Sequence, residues 1–553
     1  MAWLLPNHYY PWSTFHSDAW VAVLFAFAAL AVFVHSSRPM VWHGLPVMFM
    51  VLALVPLLQF AAGMLPFSGQ AWLATLYVVG LALALMAGAR WESATPGRAA
   101  DGLFLAITAA AMVSVGLQLR QWAGLAQDFD EVRVWAAEFA ADRPSANIGQ
   151  PNQLATLLIW GLLGCAWAVA REKVRPTLAL LIALCLLFGV VLTQSRMAMM
   201  VLFAITLSAW WWRRLLPRRV PWVITLLFLY FLAGTFSLQW LNDLLNINQQ
   251  VRSASFGGSS TQLRIDAYMM FLDALTKQPW TGYGWSRLAV AQLAVAQNHP
   301  NMTAFFLHSH NLFLDLMIWC GIPIGAFVSI YLMVWFLRCF SKINNVQDGI
   351  LLIFVMGIGI HAMVELPLHH AYFLLPTGLI MGMLTQRVGG RVIFRTSHWI
   401  ITAFLLAVSL LLGAIIQDYL RVDESFRTYR LEMNHVGNLP PGPAPDVLVL
   451  NDMSEFISSL RTVVRSDINE AEFERIKQDA LSFPTPFNLF NYGKALAFRH
   501  KSVEAGQWLR KLEKVHTKDY VEHLKRAWAA DSRTQPAIAA VPWPSDRSSS
   551  KTP

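Results

Sequence analysis

Long apolar runs separated by short polar segments occupy the chain from residue 19 to residue 417. A bilayer core about 30 Å thick is crossed by about 20 helical residues, because each residue of an α-helix rises about 1.5 Å. Such runs lie near 19–35, 44–62, 71–89, 102–121, 152–170, 177–194, 197–212, 221–240, 311–337, 349–365, 371–388 and 398–417. The pattern predicts an all-α polytopic membrane protein with about 12 transmembrane helices.

Lys and Arg are concentrated in alternate connections between these runs. They are Arg38, Arg90, Arg98, Arg171, Lys173, Arg175, Arg213, Arg214, Arg218, Arg219, Arg338, Lys342, Arg387, Arg391 and Arg395. Cytoplasmic loops of membrane proteins carry this excess of basic residues, so these connections are predicted to be cytoplasmic. The other connections, the N-terminus and everything after residue 418 are then expected on the outer side.

Two of the predicted outer loops are long, about 123–151 and about 241–310. Loops of this length without spans of their own are usually functional. In the second loop, residues 259–278 carry apolar positions at helical spacing, interrupted by Arg264, Asp266 and Asp273. This segment is predicted to form an amphipathic helix on the outer surface.

The composition changes after the last apolar run. Residues 1–420 are therefore assigned to a transmembrane domain, and 421–530 to a small soluble helical domain on the outer side, because charged residues become frequent there. Residues 531–553 are rich in Pro and Ser and are predicted to be disordered.

Overall composition supports a membrane protein and argues against several other classes. Hydrophobic residues make up 56% of the chain and charged residues only 14%, whereas about a quarter of the residues in a soluble protein are charged. The net charge is +9, but the basic residues lie between apolar runs, so no nucleic-acid partner is expected. The four cysteines lie in or beside apolar runs without CxxC spacing, which favours packing over metal binding.

Three arginines lie in two connections on the predicted outer side. Ionisable groups at membrane depth usually belong to a functional site. Arg196 occupies the tight connection between two runs, and Arg264 and Arg287 lie in the second long loop, beside the glycine-rich residues 282–285. Guanidinium groups suit phosphate contacts and stay charged when partly dehydrated. The alternatives are an interfacial anchor for Arg196 and a charged helix face for Arg264.

Histidines and amides form further groups on the same side. His310, in the sequence HSHN (308–311), precedes an apolar run, and a histidine can accept a proton near neutral pH. The residues could equally cap the helix, and zinc binding is disfavoured because no third ligand has suitable spacing.

A second group, Glu365, His369 and Tyr372, surrounds the turn ELPLHHAY, with His361 on the same helix face as Glu365. A polar plug at a helix end is the alternative explanation for this group. Gln150 and Asn152 place amides at another helix start, where they could bind sugar hydroxyls or the backbone.

The order of these motifs along the chain resembles one known family. PNHYYPW, NIGQPNQLA, TQSRMA, LRIDAY with QPWTGYGW, HSHNLFLDL and HAMVELPLHHAYFLLP together resemble the bacterial protein O-oligosaccharyltransferases of the PglL/PilO type, within the O-antigen ligase and polymerase superfamily. The resemblance covers about residues 5–420, and HSHN and QPNQ are its most specific elements.

The resemblance implies a GT-C-like glycosyltransferase of the bacterial inner membrane, with its active site facing the periplasm. Such enzymes transfer a glycan en bloc from undecaprenyl pyrophosphate to a hydroxyl of an acceptor protein such as a pilin, without a metal or other cofactor. By this resemblance, Arg196 and Arg264 would stabilise the pyrophosphate, and His310 would orient or deprotonate the acceptor hydroxyl.

The remaining candidates would bind substrate. Gln150 and Asn152 would contact the pyrophosphate or the first sugar, and Arg287 would act from the same long loop as Arg264. Glu365, His369 and Tyr372 would support the site or lie on the acceptor side.

Two alternatives remain open at this point. An O-antigen ligase or polymerase would use the same arginine and histidine chemistry on a lipid A core or sugar acceptor. A secondary transporter would use Arg196, Glu365 and the histidines as a proton or anion pathway, but it predicts related halves, and no internal repeat is evident.

Overall fold

The computed structural model describes residues 1–35, 38–125, 136, 143–247, 259–302, 304–438, 440 and 442–544. Most of the first predicted outer loop (126–135 and 137–142) and part of the second (248–258) therefore lie outside the described residues. The chain divides into two compact units. The first comprises Met1–Ala53, Leu76–Ala254 and Ile330–Gly413, and the second Leu54–Thr75, Ser255–Ser329 and Ala414–Pro553.

Nine helices among the described residues are long and apolar enough to cross a membrane. They are α1 (Phe15–Val34), the pair α2 (Gly44–Leu52) and α3 (Leu54–Ala61) taken together, α4 (Ser68–Ala94), α5 (Arg98–Trp122), α6 (Pro151–Ala170), α7 (Pro176–Thr193), α9 (Val220–Leu244), α13 (Ile322–Ser341) and α16 (His398–Met433). The prediction of an all-α polytopic membrane protein is confirmed.

Three further predicted runs form helices of only 16 or 17 residues: α8 (Arg196–Trp211), α14 (Val346–Ala362) and α15 (Ala371–Arg387). All twelve predicted runs are thus helical, although only nine meet the length expected for a full span.

The other helices are α10 (Ser259–Lys277), α11 (Leu288–Val295), α12 (Leu312–Cys320), α17 (Asn451–Leu460), α18 (Glu470–Ser482), α19 (Pro486–Phe498), α20 (Ser502–Val515), α21 (Lys518–Ser532) and α22 (Pro536–Ala539). Short 3-10 turns occupy Ala2–Leu4, Ala146–Ile148, Ala296–Asn298, Pro367–His369 and Val436–Asn438.

Two short strands, which the apolar pattern did not predict, pair in the first unit. Strand β1 (Met40–His43) runs antiparallel to β2 (Val392–Thr396). Trp42 stacks on Phe394 with ring centroids 5.1 Å apart, and its indole N–H donates to the Thr396 hydroxyl at 2.9 Å. A cross-strand aromatic pair of this kind stabilises a small sheet.

Small residues allow the helices of the first unit to approach closely. A Cβ on Gly88 would lie 2.1 Å from the Leu379 carbonyl oxygen, and one on Gly382 would lie 2.0 Å from that of Leu85. Helices α4 and α15 are therefore in backbone contact, the arrangement by which membrane helices gain packing where lipid supplies no hydrophobic driving force. Trp160 of α6 stacks on Phe354 of α14 at 4.0 Å in the same core.

A buried ion-pair group joins α4, α14 and α15. Arg387 Nε lies 2.8 Å from Glu92 Oε1, and Arg387 Nη1 lies 2.9 Å from Asp348 Oδ1. Glu92 also accepts from the Gly97 N–H at 3.0 Å, and the guanidinium lies over the Trp167 ring. Each carboxylate therefore has a partner for its charge.

In the second unit, the predicted run 311–337 is interrupted at Gly321. This residue has φ +82°, and a Cβ there would lie 2.1 Å from the Trp280 carbonyl oxygen. The loop at 282–285 binds this interruption: the Tyr283 and Gly284 N–H groups donate to the carbonyls of Ile318 and Trp319. The glycines of this loop permit the close backbone approach, because a Cβ at Gly282 would lie 2.4 Å from the Ile318 carbonyl oxygen.

A buried glutamine in α3 fixes the same interruption. Gln59 Nε2 donates to the Trp319 carbonyl at 2.7 Å, and its Oε1 accepts from the Trp285 N–H at 2.9 Å. A single side chain in an apolar helix thus bonds one carbonyl at the end of the broken helix and one N–H of the loop that packs against it.

Helices α18 to α22 pack as antiparallel neighbours around a shared apolar cluster that includes Leu489, Leu509 and Trp528. Helix α16 continues to Met433, beyond the predicted boundary at residue 420. Residues 531–544, assigned from sequence to the start of a disordered tail, contain α22, whose Ile538 is buried. The high content of Pro and Ser in this segment predicted disorder, although its few apolar residues form a short buried helix. Residues 545–553 lie outside the described part.

Replacing Arg387 should test the buried ion-pair group. In Arg387→Met, Glu92 and Asp348 would remain buried without a cation, so we expect a loss of about 3 kcal/mol of unfolding free energy and a lower thermal midpoint in detergent. Arg427→Met is the control, because the Arg427–Glu424 pair is largely exposed and should contribute about 0–1 kcal/mol. Equal midpoints for both variants would contradict this assignment.

Candidate functional site

The start of helix α6 carries the amide side chains of Gln150 and Asn152, which are called the amide group below. Gln150 caps the helix, since its Oε1 accepts from the Gln153 N–H at 2.6 Å, and Pro151 occupies the first helical position. The preceding turn is held by the N-terminal segment: His8 Nε2 contacts the Asn147 carbonyl at 2.6 Å, and Asn147 Nδ2 donates to the Leu4 carbonyl at 2.8 Å. The PNHY and QPNQ motifs are therefore neighbours.

The Glu365 carboxylate is the centre of this group. Gln150 Nε2 donates to Glu365 Oε2 at 2.7 Å, and Asn152 Nδ2 donates to Oε1. His361 Nε2 lies 3.2 Å from Oε2. Burial raises the pKa of Glu365, but the hydrogen bond and charge of His361 and the two amide donors outweigh it, so the pKa lies below its ordinary value.

His361 is itself completely buried and has a second partner. Its Nδ1 lies 2.8 Å from the hydroxyl oxygen of Thr156, one turn along α6 from Asn152. Thr156 was not singled out from the sequence. Its spacing of four residues from Asn152 is a signal that could have placed it on the same helix face.

A second chain of hydrogen bonds links Tyr372 to the same helix start. The Tyr372 hydroxyl donates to Gln153 Oε1 at 2.9 Å, and Gln153 Nε2 lies 2.8 Å from His370 Nε2. The His370 and Tyr372 rings stack at 5.1 Å. Gln153 and His370 belong to the quoted motifs but were not among the predicted site residues.

The two histidines of this turn are neutral at physiological pH. Burial lowers the pKa of His369 to about 4. Burial, followed by the neighbouring His369, His361 and His8, lowers the pKa of His370 to about 3. The turn itself is fixed by Asp18 of α1, which accepts from the Ala371 N–H at 2.6 Å. Polar side chains here are thus held in place by hydrogen bonds without a net positive charge.

Arg196 lies at the first position of α8 in the first unit and is half-buried. Ser195 caps this helix by accepting from the Ala198 N–H at 3.2 Å, and Gln194 before it has a left-handed backbone, φ 49°. The tight connection therefore fixes the backbone of Arg196 at the start of the helix.

The HSHN segment lies in the second unit, and its Asn311 forms the helix cap that was one of the two explanations offered for it. Asn311 caps α12, with its Oδ1 3.1 Å from the Phe313 N–H and 3.2 Å from the Leu314 N–H. The Ser309 N–H donates to Asp315 Oδ1 at 2.8 Å. His310 is half-buried between them with φ 60°, a left-handed conformation that is uncommon for residues other than glycine.

Two potential metal ligands of this segment, His308 and Asp315, lie close together in the second unit. His308 Nδ1 lies 4.0 Å from the buried Asp315 Oδ2. Among the described residues, neither unit by itself gathers three His, Cys, Asp or Glu side chains around one point. Structural zinc sites use four protein ligands and catalytic ones use three.

The predicted amphipathic helix is present as α10. Its buried face consists of Ala267, Met270, Phe271, Ala274 and Leu275, and Arg264, in the first turns of the helix, is exposed. Burial raises the pKa of Tyr268, one turn from Arg264, and the arginine charge opposes that shift.

Arg287 has a different environment from Arg264. Its Nη1 donates to the Met64 carbonyl within the second unit, and burial lowers its pKa to about 10. The guanidinium is therefore partly committed to the backbone.

The structure brings together Gln150, Asn152 and Glu365 directly and adds Tyr372 through Gln153. Because three donors already contact the Glu365 carboxylate, this residue is suited to orienting amides and poorly suited to accepting a proton from a substrate.

The chain matches three family models and two characterised proteins. Residues 181–329 match the model described as "O-Antigen ligase", 350–530 match "Virulence factor membrane-bound polymerase, C-terminal", and 144–167 match "Protein glycosylation ligase". The last match contains the amide group at the start of α6, and the first contains Arg196, Arg264 and His310.

A "General O-oligosaccharyltransferase" of Acinetobacter baylyi is 27% identical over 549 residues, 96% of this chain and 93% of that protein. A "ComP-specific O-oligosaccharyltransferase" of the same species is 30% identical over 269 residues, 48% of each chain. The first similarity extends over both compact units.

Neutralising Glu365 should weaken the group in a pH-dependent manner. Its pKa is lower in the folded protein, so the ionised carboxylate stabilises the fold above the ordinary carboxyl pKa, and this contribution is lost as pH falls through the folded value. We expect Glu365→Gln to lose roughly 2 kcal/mol near pH 7 and to approach wild type on acidification, measured by thermal unfolding.

The matched control is Glu474→Gln, which removes an exposed pair with Lys477. A difference between wild type and Glu365→Gln that stays constant from neutral to acidic pH would contradict the ionised state assigned to Glu365.

Proposed function

We propose that this chain is a bacterial protein O-oligosaccharyltransferase of the O-antigen ligase superfamily, a glycosyltransferase, and that it transfers a preassembled glycan en bloc from undecaprenyl pyrophosphate to Ser or Thr hydroxyls of an exported protein. The main support is the similarity over 96% of the chain to a general O-oligosaccharyltransferase. A pilin-like protein is the proposed acceptor. The proposed location is the bacterial inner membrane, with the site facing the periplasm.

The proposed reaction is a displacement at the first sugar. The acceptor oxygen forms a bond to the anomeric carbon while the bond from that carbon to the pyrophosphate oxygen breaks. His310 takes the acceptor proton, and undecaprenyl pyrophosphate leaves with the bonding electron pair. His310 is half-buried, and its backbone lies between the Asn311 helix cap and the Ser309–Asp315 hydrogen bond, which suits the role of a positioned base.

Negative charge grows on the pyrophosphate as this bond breaks. Arg196 and Arg264 are the proposed groups that stabilise it, because a guanidinium can donate two parallel hydrogen bonds to a phosphate and remains charged. Arg287 donates to the Met64 carbonyl, and it is proposed to act mainly by supporting its own loop, the segment that follows α10. The proposed chemistry requires no metal.

The Gln150, Asn152 and Glu365 group is proposed to bind the donor, with His369 and Tyr372 on the acceptor side. Three polar side chains from α6 and the turn after α14 converge there, on the predicted outer side. Buried amides with fixed orientations discriminate well among polar ligands, because a mismatched ligand leaves them unpaired.

A second candidate function is ligation of O-antigen to lipid A core, supported by the match of residues 181–329 to the O-antigen ligase model. Donor chemistry would be the same and only the acceptor would differ. The similarity to two O-oligosaccharyltransferases favours the protein acceptor.

Glycan transfer in a glycosylation-deficient bacterial host should decide between these functions. The host would supply a polyprenyl-linked oligosaccharide and a pilin-type acceptor, and intact-mass measurement would follow the acceptor. We expect a mass increase of one glycan with wild type and a decrease of roughly 100-fold or more with His310→Ala or Arg264→Ala. Arg427→Ala, an exposed arginine of α16, is the matched control and should act like wild type.

Membrane insertion of every variant would be checked by protease-protection and expression level. Unmodified acceptor together with newly modified lipid A core would transfer the assignment to a ligase. Full activity of His310→Ala would contradict the role of this histidine as a base.

Replacing the acceptor hydroxyl provides a separate test of the bond formed. Modification should be lost when the glycosylated Ser or Thr of the acceptor is changed to Ala, because no nucleophilic oxygen remains. Site mapping by fragmentation mass spectrometry would identify the residue. Attachment to an asparagine amide would contradict transfer to oxygen.

A further inference from the structure

Two buried residues outside the predicted site control the hydrogen bonds of Glu365. His361 lies on α14 without solvent exposure, between the Thr156 hydroxyl at 2.8 Å and the Glu365 carboxylate at 3.2 Å. A carboxylate only accepts hydrogen bonds, so His361 Nε2 donates its N–H to Glu365. His361 Nδ1 is hydrogen-bonded to the Thr156 hydroxyl, and this second contact fixes the orientation of the imidazole ring.

The donor of His361 completes the set that keeps the Glu365 carboxylate ionised in a buried position. Gln150 and Asn152 supply the other two donors. His361 on α14 is the titratable group that acts directly on this carboxylate, and α6 contributes uncharged amides. In the following turn, His370 is influenced by His369, His361 and His8. Among the described residues no Lys or Arg forms an ion pair with Glu365, so its low pKa depends on His361 and the two amide donors.

The direction of these hydrogen bonds also determines what the amides offer a ligand. Asn152 gives its NH₂ group to Glu365, so the group it can present is Oδ1, an acceptor that makes no hydrogen bond with the described residues. Gln150 Oε1 already accepts from the Gln153 N–H. An acceptor oxygen beside an ionised carboxylate repels phosphate oxygens, but it binds a hydroxyl or an amide N–H.

We propose that Thr156 and His361 are positioning residues that hold Glu365, and through it Asn152, so that the start of α6 recognises hydroxyl or acetamido N–H groups of the donor's sugar and not its pyrophosphate. The inference rests on the proposed glycan transfer and narrows the ligand of its amide group. Thr156 and His361 act through Glu365 and touch no reacting atom.

Kinetics of Thr156 variants in a defined assay test this proposal. The assay would use purified full-length enzyme in nanodiscs, a polyprenyl pyrophosphate-linked oligosaccharide and a pilin-type acceptor. Thr156→Val keeps the side-chain shape but removes the hydroxyl, and we expect the donor KM to rise about tenfold with a smaller change in kcat. Thr156→Ser should restore the wild-type KM, because it returns the hydroxyl.

The acidic limb of the pH–rate profile gives a second readout. Without the hydroxyl to orient His361, Glu365 should protonate more readily, so the limb of Thr156→Val should move to higher pH, and that of Thr156→Ser should coincide with wild type. Thr108→Val is the matched control: it removes another hydroxyl from a membrane helix, one that donates to the Phe104 carbonyl, and it should leave KM and the pH profile unchanged.

Inhibition by free undecaprenyl pyrophosphate separates the two possible ligands. We expect its inhibition constant to be the same for wild type and Thr156→Val, because the proposed contact is made to the sugar. A parallel rise in the inhibition constant and the donor KM would overturn the proposal and place the pyrophosphate at the amides. An unchanged KM and pH profile in Thr156→Val would overturn the positioning role, whereas failure of the wild-type enzyme to transfer glycan would instead contradict the proposed function.

Discussion

A carboxylate buried in an otherwise apolar helical protein must be satisfied by hydrogen-bond donors, and in the first unit this constraint determines the arrangement around Glu365. Desolvation alone would favour its neutral form. Two amides from the start of α6 and an imidazole from α14 offset that cost. The same contacts fix the orientation of Gln150 and Asn152, so an electrostatic requirement of folding also presents oriented polar groups to a ligand.

In the second unit, the main constraint is that the backbone groups of a broken helix need hydrogen-bond partners. Interruption of the apolar run at Gly321 leaves carbonyl and N–H groups without helical partners. The loop after Trp280 and the side chain of Gln59 satisfy them, and this close contact excludes a Cβ at Gly282 and at Gly321. The short helix α12 that results extends from Leu312 to Cys320. The proposed base His310 lies two residues before this helix, and the interruption at Gly321 follows it directly.

Different kinds of residue therefore carry the two parts of the proposed chemistry. The polar group of the first unit consists of amides, imidazoles and the Glu365 carboxylate, and burial keeps His369 and His370 uncharged. In the second unit, the proposed pyrophosphate contact Arg264 is exposed on α10.

Apolar run length and the position of basic residues were sufficient to predict a polytopic helical protein, because a bilayer requires internally satisfied backbone over about 20 residues whatever the partners of each helix. The order of short motifs also predicted the similarity to O-oligosaccharyltransferases and to the O-antigen ligase model, and it selected the candidate residues. Spacing could not reveal that Thr156 and His361 support Glu365, that Arg287 binds a backbone carbonyl, or that Gly321 breaks a run. Those features depend on which helices become neighbours, and hydrogen-bond direction in a buried group is decided only when donors and acceptors from distant segments meet.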